Sequence, residues 1–187
     1  MNKLRRDLLT TGWSMVEASK WVEHFNANWS FKSNVKIGDK RFAPDGTLIG
    51  RYDAYDLPPL MQEYADEQSE LLHKALPKEK FSLSSAEART IPAIKTAAKL
   101  HWHTDGGYFR VLLTCQGEGT IVFKKKDCEG TVISTADSII TPFGHALILT
   151  GDSRTYEIGM PKTSHSPPAY SKERRLIVLT FRGVSEI

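Results

Sequence analysis

Apolar positions recur at two different spacings along the chain, and the change between them falls near residue 80. Ahead of it, Ser14-Met15-Val16-Glu17 reads as an N-cap serine with a glutamate three residues on. Ala18, Trp21, Val22 and Phe25 then follow at helical spacing. A second helix opens at Pro58-Pro59, carries Leu60, Met61, Tyr64, Leu71, Leu72 and Leu76 on one side, and is closed by Pro77. Between the two, Asp45-Gly46 is a hairpin-type turn and Thr47 to Tyr52 reads as a short strand.

From about residue 88 onward the spacing shortens to that of strands. The pattern predicts strands at Thr90–Ile94, Lys99–His103, Tyr108–Cys115, Thr120–Phe123, Thr131–Ser134, Ser138–Ile140, Ala146–Leu149 and Arg175–Phe181. Gly106-Gly107, Gly117, Gly119, Gly130, Gly144 and Gly151 punctuate them. Short strands at near-regular spacing predict a sandwich or barrel with helices against one outer face, an α+β fold with a β core. Neither a repeat nor a low-complexity linker divides the chain. One domain over 1–187 is expected, with a helical buttress in 1–85 and the β core in 86–187.

Composition alters this picture little. The 187 residues hold 25 Lys and Arg against 22 Asp and Glu, and the excess is scattered apart from Lys124-Lys125-Lys126 and Arg174-Arg175. The lysine run reads as a solvated turn, not a nucleic-acid stripe. The start, Met1-Asn2-Lys3-Leu4-Arg5-Arg6, has the charge of a signal peptide. Asp7, Thr10, Thr11, Gly12 and Ser14 break the apolar stretch that should follow. No run approaches the ~20 apolar residues of a membrane span, so a cytoplasmic protein without membrane contact is expected. Two cysteines are too few for a disulfide framework: Cys115 reads as a buried thiol, and Cys128 as exposed in a turn.

Four of the six histidines, His101, His103, His145 and His165, lie in the strand region, whereas His24 and His73 read as surface residues of the helical half. In Leu100-His101-Trp102-His103-Thr104-Asp105-Gly106-Gly107, His103 and Asp105 are two apart and project from one face at a strand's end. Strict extension leaves them ~7 Å apart. The glycines that follow let the chain curl and bring both donors to one ion. An imidazole and a carboxylate supply two corners of an octahedron, and one further histidine completes the facial triad of non-haem Fe(II) oxygenases. His165 in Thr163-Ser164-His165-Ser166-Pro167-Pro168 stands at the required remove. Arg174 and Arg175 follow nine and ten residues later on the terminal strand.

Residues 98 to 183 resemble the 2-oxoglutarate/Fe(II)-dependent oxygenase superfamily. The resemblance rests on His103-Thr-Asp105-Gly-Gly, on Gly144-His145-Ala146-Leu147-Ile148-Leu149 with Gly151-Asp152, and on His165 before the basic strand. His103-Thr-Asp105 with Arg110, Leu113-Thr114, Gly117-Glu-Gly119-Thr120 and the later His-x-Pro-Pro also resembles a bacterial domain family of unknown function. The superfamily resemblance implies a double-stranded β-helix of jelly-roll or cupin-like form. It implies Fe(II) on His103, Asp105 and His165, and 2-oxoglutarate whose far carboxylate meets an arginine. The activity implied is hydroxylation or demethylation with O2 as oxidant and succinate and CO2 as co-products. The carboxylate of Asp105 disfavours halogenation, because halogenase relatives carry Gly or Ala there.

Two arginines compete for the co-substrate. Arg174 shares strand parity with Thr180 and Arg182. Arg175 shares it with Ile177, Leu179 and Phe181, which look like a helix-packed face. Arg110 and Thr114 share one face of their strand and are further candidates for the co-substrate pocket. No catalytic residue beyond the metal centre is singled out. Trp102 and Tyr108 read as core aromatics or pocket walls, and residues 152–164 as a lid. The expected substrate is a small molecule. Nucleic acid is disfavoured by the charge balance and by Leu176, which stands where the repair demethylases of the superfamily carry an arginine. A non-catalytic, cupin-like metal-binding or interaction module is the alternative. It is weakened by Tyr108 and Phe109, which stand where cupins place a metal-binding glutamate.

Overall fold

The computed structural model describes residues 2–31, 47–93, 106–117, 119–123, 138–151, 165–166 and 172–184, with backbone alone at 121–123, 138 and 165–166. Helix α1 (Lys3–Thr10) starts where the Asn2 side chain accepts a hydrogen bond from the Leu4 amide at 3.0 Å, and buries Leu4 and Leu8, one turn apart. Strand β1 (Trp13–Glu17) leads into α2 (Ser19–Ala27), which turns Trp21, Val22 and Phe25 inward. Strand β2 (Leu48–Asp53) precedes α3 (Pro59–Ala75), opened by a proline in its first turn. Its buried residues, Met61, Tyr64, Ala65, Gln68, Leu72 and Ala75, recur at three and four. Phe25 and Tyr64 meet edge to face at 5.5 Å and join the helices over one sheet.

That sheet contains β3 (Phe81–Ile91), β4 (Phe109–Gln116), β7 (His145–Thr150) and β9 (Arg174–Gly183) together with β1 and β2, in the order β1-β7-β4-β9-β3-β2, with every pairing antiparallel. A second antiparallel sheet runs β6 (Ser138–Ile140), β5 (Ile121–Phe123), β8 (His165–Ser166). One face of the large sheet presents Ala86, Ala88, Val111, Leu113, Ile148, Ile177 and Leu179 to the helices. The other presents Leu112, Leu147, Leu149, Leu176 and Val178, against which Ile139 of the small sheet packs. The α+β class and the helices against one outer face agree with the expectation. Among the described residues no helix is long and apolar enough to cross a membrane.

All three helices lie in the first 85 residues, and β2 falls within a residue of the strand expected at Thr47 to Tyr52; β1 and the start of β3 are strands of the large sheet that the sequence pattern does not predict. Ser14 does not cap a helix. It lies in β1, paired with Ile148, and its hydroxyl donates to Asp7 at 2.9 Å. The helix begins five residues later, where the Ser19 amide donates to the Glu17 carboxylate at 2.7 Å. The strand expected at Thr90–Ile94 ends there instead: β3 starts nine residues earlier and pairs along its length with β9 through one bulge. Strands β4 to β7 and β9 lie within a residue or two of expectation. Lys99–His103 and Thr131–Ser134 lie outside the described residues.

Candidate functional site

Period-two alternation sorts β9 into two sets of side chains, and the two arginines at its start fall into different ones. Arg174 shares the inner face with Leu176 and Val178; it is 2% exposed, and its Nη2 donates to Thr120 Oγ1 at 2.9 Å. Arg175 points to the helices instead. Its guanidinium lies 5.4 Å from the centre of the Trp29 ring, and Nε donates to Glu173 at 3.1 Å. Thr120 leads into β5, two residues before Val122, which pairs with His165 of β8. The buried guanidinium thus reaches from the large sheet to a position about two residues, ~7 Å, from the register partner of His165.

The sequence offers Thr120 only within Gly117-Glu-Gly119-Thr120 and the strand that follows, not as a site residue, although its neighbour Gly119 carries a signal. A Cβ on Gly119 would sit 2.0 Å from the Thr141 carbonyl oxygen, so only glycine lets the strands cross here. Thr141 Oγ1 donates back to the Thr120 carbonyl at 3.0 Å and fixes the segment. A second cluster, which the sequence does not announce, lies on the same inner face. There, Glu87 is held by Arg51 Nε at 2.9 Å and by Arg89 Nε at 2.7 Å. Burial raises the Glu87 carboxyl, but Arg89 and Arg51 outweigh it and hold the group below its ordinary range.

At the far end of β4 and β9 a cleft of about 430 Å³ opens, lined by Gly106, Gly107, Tyr108, Arg110, Thr180 and Arg182. Gly106 directly follows Asp105 in the chain. The segment is tied down by the Tyr108 amide, which donates to the Phe181 carbonyl at 2.9 Å. Gly107 has φ +94, and a Cβ there would meet that same carbonyl at 2.9 Å. Gly183, also in the lining, has no side chain, and Tyr108 occupies the space a Cβ would need.

The expected ligands His103 and Asp105 lie outside the described residues, as does the side chain of His165, whose backbone is in β8. His101, Trp102, Cys128, Lys124-Lys125-Lys126 and residues 152–164 lie outside them as well. Thr114, buried opposite Leu176, is on the inner face, as is Arg110 opposite Thr180. The two are four residues apart on that face, ~13 Å along the strand, and Thr114 is the nearer to Arg174. His24 and His73 are exposed, and His73 stacks on Phe81 at 4.1 Å. His145, opposite Glu17 at the start of β7, is partly buried.

No protein-family model matches the chain, and no curated protein does. Solved structures do. The dioxygenase for auxin oxidation 1 from Arabidopsis thaliana, in complex with 2-oxoglutarate, is 11% identical with a TM-score of 0.68, over 99% of this chain and 88% of that one. JOX2, in complex with 2OG, Fe and JA, is 16% identical with a TM-score of 0.66, over 99% and 71%. A prolyl-4-hydroxylase from Pseudomonas putida is 14% identical with a TM-score of 0.60, over 97% of both chains. The chain is similar in fold, over nearly its whole length, to these oxygenases.

Proposed function

We propose that the chain is a 2-oxoglutarate- and Fe(II)-dependent oxygenase with a double-stranded β-helix core, acting on a small molecule. The observation that carries the reading is Arg174: a guanidinium 2% exposed, bonded to Thr120, and close to the backbone position of His165. The planar fork suits one carboxylate of 2-oxoglutarate, with the Thr120 hydroxyl beside it. The donor set of two imidazoles and one carboxylate fits Fe(II). His103, Asp105 and His165 would hold the metal, and Arg174 would take the co-substrate in place of Arg175.

When bound, Fe(II) and 2-oxoglutarate supply the activation of O2 that oxidises a substrate C–H bond, yielding succinate and CO2. The chain's own contribution is placement. Arg174 and Thr120 fix one end of the co-substrate. Leu112, Leu147, Leu176 and Val178 keep the surrounding space dry, which strengthens the ion pair. The glycines after Asp105 would give the chain the freedom to turn that a metal on this carboxylate needs. Anaerobic calorimetry tests the proposal: 2-oxoglutarate should bind when Fe(II) is present and lose that affinity in His103→Ala and His165→Ala. Absence of metal-dependent binding, together with no succinate release in air, would sink it.

A further inference from the structure

Two polar atoms interrupt the apolar layer between α3 and the large sheet. Tyr64 and Gln68 are buried there, 0% and 2% exposed. Neither the Tyr64 hydroxyl nor Gln68 Oε1 has a hydrogen-bond partner among the described residues. Leaving such a bond unmade is costly, and buried oxygens of this kind are satisfied by protein groups or by internal water. We infer that one internal water is bound between α3 and the sheet, accepting from the Tyr64 hydroxyl and donating to Gln68 Oε1. The site is independent of the oxygenase reading.

The geometry of α3 brings the two groups to one place. Residues four apart share a helix face, and side chains on a helix lean toward its start. Gln68 therefore leans back over the turn that carries Tyr64. Trp21 and Phe25 of α2 pack on the Tyr64 ring, at 5.2 and 5.5 Å between ring centres, and hold it inward. Burial pushes the Tyr64 hydroxyl well above its ordinary value, and Cys115 and then Glu67 add to the shift. The hydroxyl thus stays protonated and has a hydrogen to donate. Cys115 stands where β4 slips its register against β9, so it has no partner in the ladder. Asn26 Nδ2 donates to the Cys115 carbonyl at 2.7 Å, and that oxygen keeps a second lone pair. Roughly two to four polar partners hold an internal water, a number this patch supplies. Tyr64 and Gln68 offer one donor and one acceptor, both uncharged. A small neutral molecule that can both accept and donate fits them, whereas an ion would give up its hydration for two neutral groups.

The test uses the full-length chain. Tyr64→Phe, Gln68→Met and the double variant are unfolded in urea, and the wild type is crystallised for a high-resolution map. Both substitutions nearly keep the side-chain volume, so the core stays filled. A water should appear within hydrogen-bond distance of both oxygens. Each single substitution should raise the unfolding equilibrium constant about fivefold. The double variant should fall well short of the product of the two, because both changes remove bonds to the same water. If either substitution leaves stability unchanged or raises it, that oxygen goes without a partner in solution and the inference falls. Losses that multiply overturn it as well, as does a map with no water between the two side chains.

Discussion

The two faces of the six-stranded sheet are built from the same strands, one residue out of step, and they divide the work of the molecule. Toward the helices, β4 presents Phe109, Val111, Leu113 and Cys115, and β9 presents Ile177, Leu179 and Phe181, all buried. Toward the small sheet the same strands present Arg110, Leu112 and Thr114, and Arg174, Leu176, Val178, Thr180 and Arg182. The helix face holds the fold together through apolar area. The inner face mixes that area with guanidinium and hydroxyl groups. Because strand side chains alternate strictly, polar chemistry on one face costs the other nothing, and the neighbours Arg174 and Arg175 end in unrelated environments.

The largest expected effect tests the helix face. Leu113 is wholly buried there, and Leu113→Ala should lower unfolding free energy by about 2–5 kcal/mol in urea titration. Co-substrate affinity of the folded fraction should stay within about threefold of wild type, as the substitution lies on the opposite face from Arg174 and Thr120. A large loss of affinity with little loss of stability would reverse the roles of the two faces.

The next test separates adjacent residues. Arg174→Gln removes a charged donor bonded to Thr120 on the inner face and should weaken 2-oxoglutarate about 10- to 150-fold. Arg175→Gln, facing Trp29, should change it by less than about threefold. Equal effects in calorimetry would mean that position along the strand matters more than face.

This difference between neighbours was legible in the sequence because a period of two is local: the parity of residue 174 with Thr180, and of 175 with Ile177, needs no tertiary information. The strands β4, β7 and β9 were legible for the same reason. What was hidden depends on distant partners. Trp13–Glu17 reads as the approach to a helix, with serine and glutamate at capping distance, until pairing with β7 claims its backbone. Phe81–Ile91 contains Ser82, Ser84, Ser85 and two alanines, too little apolar alternation to announce a strand. Pairing with β2 on one side and β9 on the other makes it one. Of the proposed site, the candidate ligands His103, Asp105 and His165 are named by the sequence, but Thr120 and the Glu87 cluster are not, since each is defined by what crosses over to meet it.

The Glu87 cluster sharpens the comparison through pH. Its carboxyl is held below its ordinary value of 4.5, so its stabilising contribution is complete above about pH 4.5 and is lost as pH falls through the folded value. Wild type should therefore lose unfolding free energy more steeply below pH 4.5 than Glu87→Gln. At neutral pH the substitution should cost on the order of 1–2 kcal/mol, a modest figure because Arg51 and Arg89 remain partly in solvent. Parallel pH profiles for the two proteins would show that the inner-face charges contribute nothing to stability.

The smallest effect concerns a reactive side chain on the unreactive face. Cys115 is 1% exposed, and burial pushes its thiol up to about 12, with Arg175 and the Ile177 backbone pulling the other way. At neutral pH it is therefore protonated and screened from solvent, which makes it a small apolar filler. Iodoacetamide should label residue 115 only once denaturant is added, as peptide mass mapping would report. Cys115→Ala should cost about 1 kcal/mol and leave 2-oxoglutarate affinity unchanged. Rapid labelling of the native protein would mean that the helix face opens readily, and the stability assigned to that face would have to come from elsewhere.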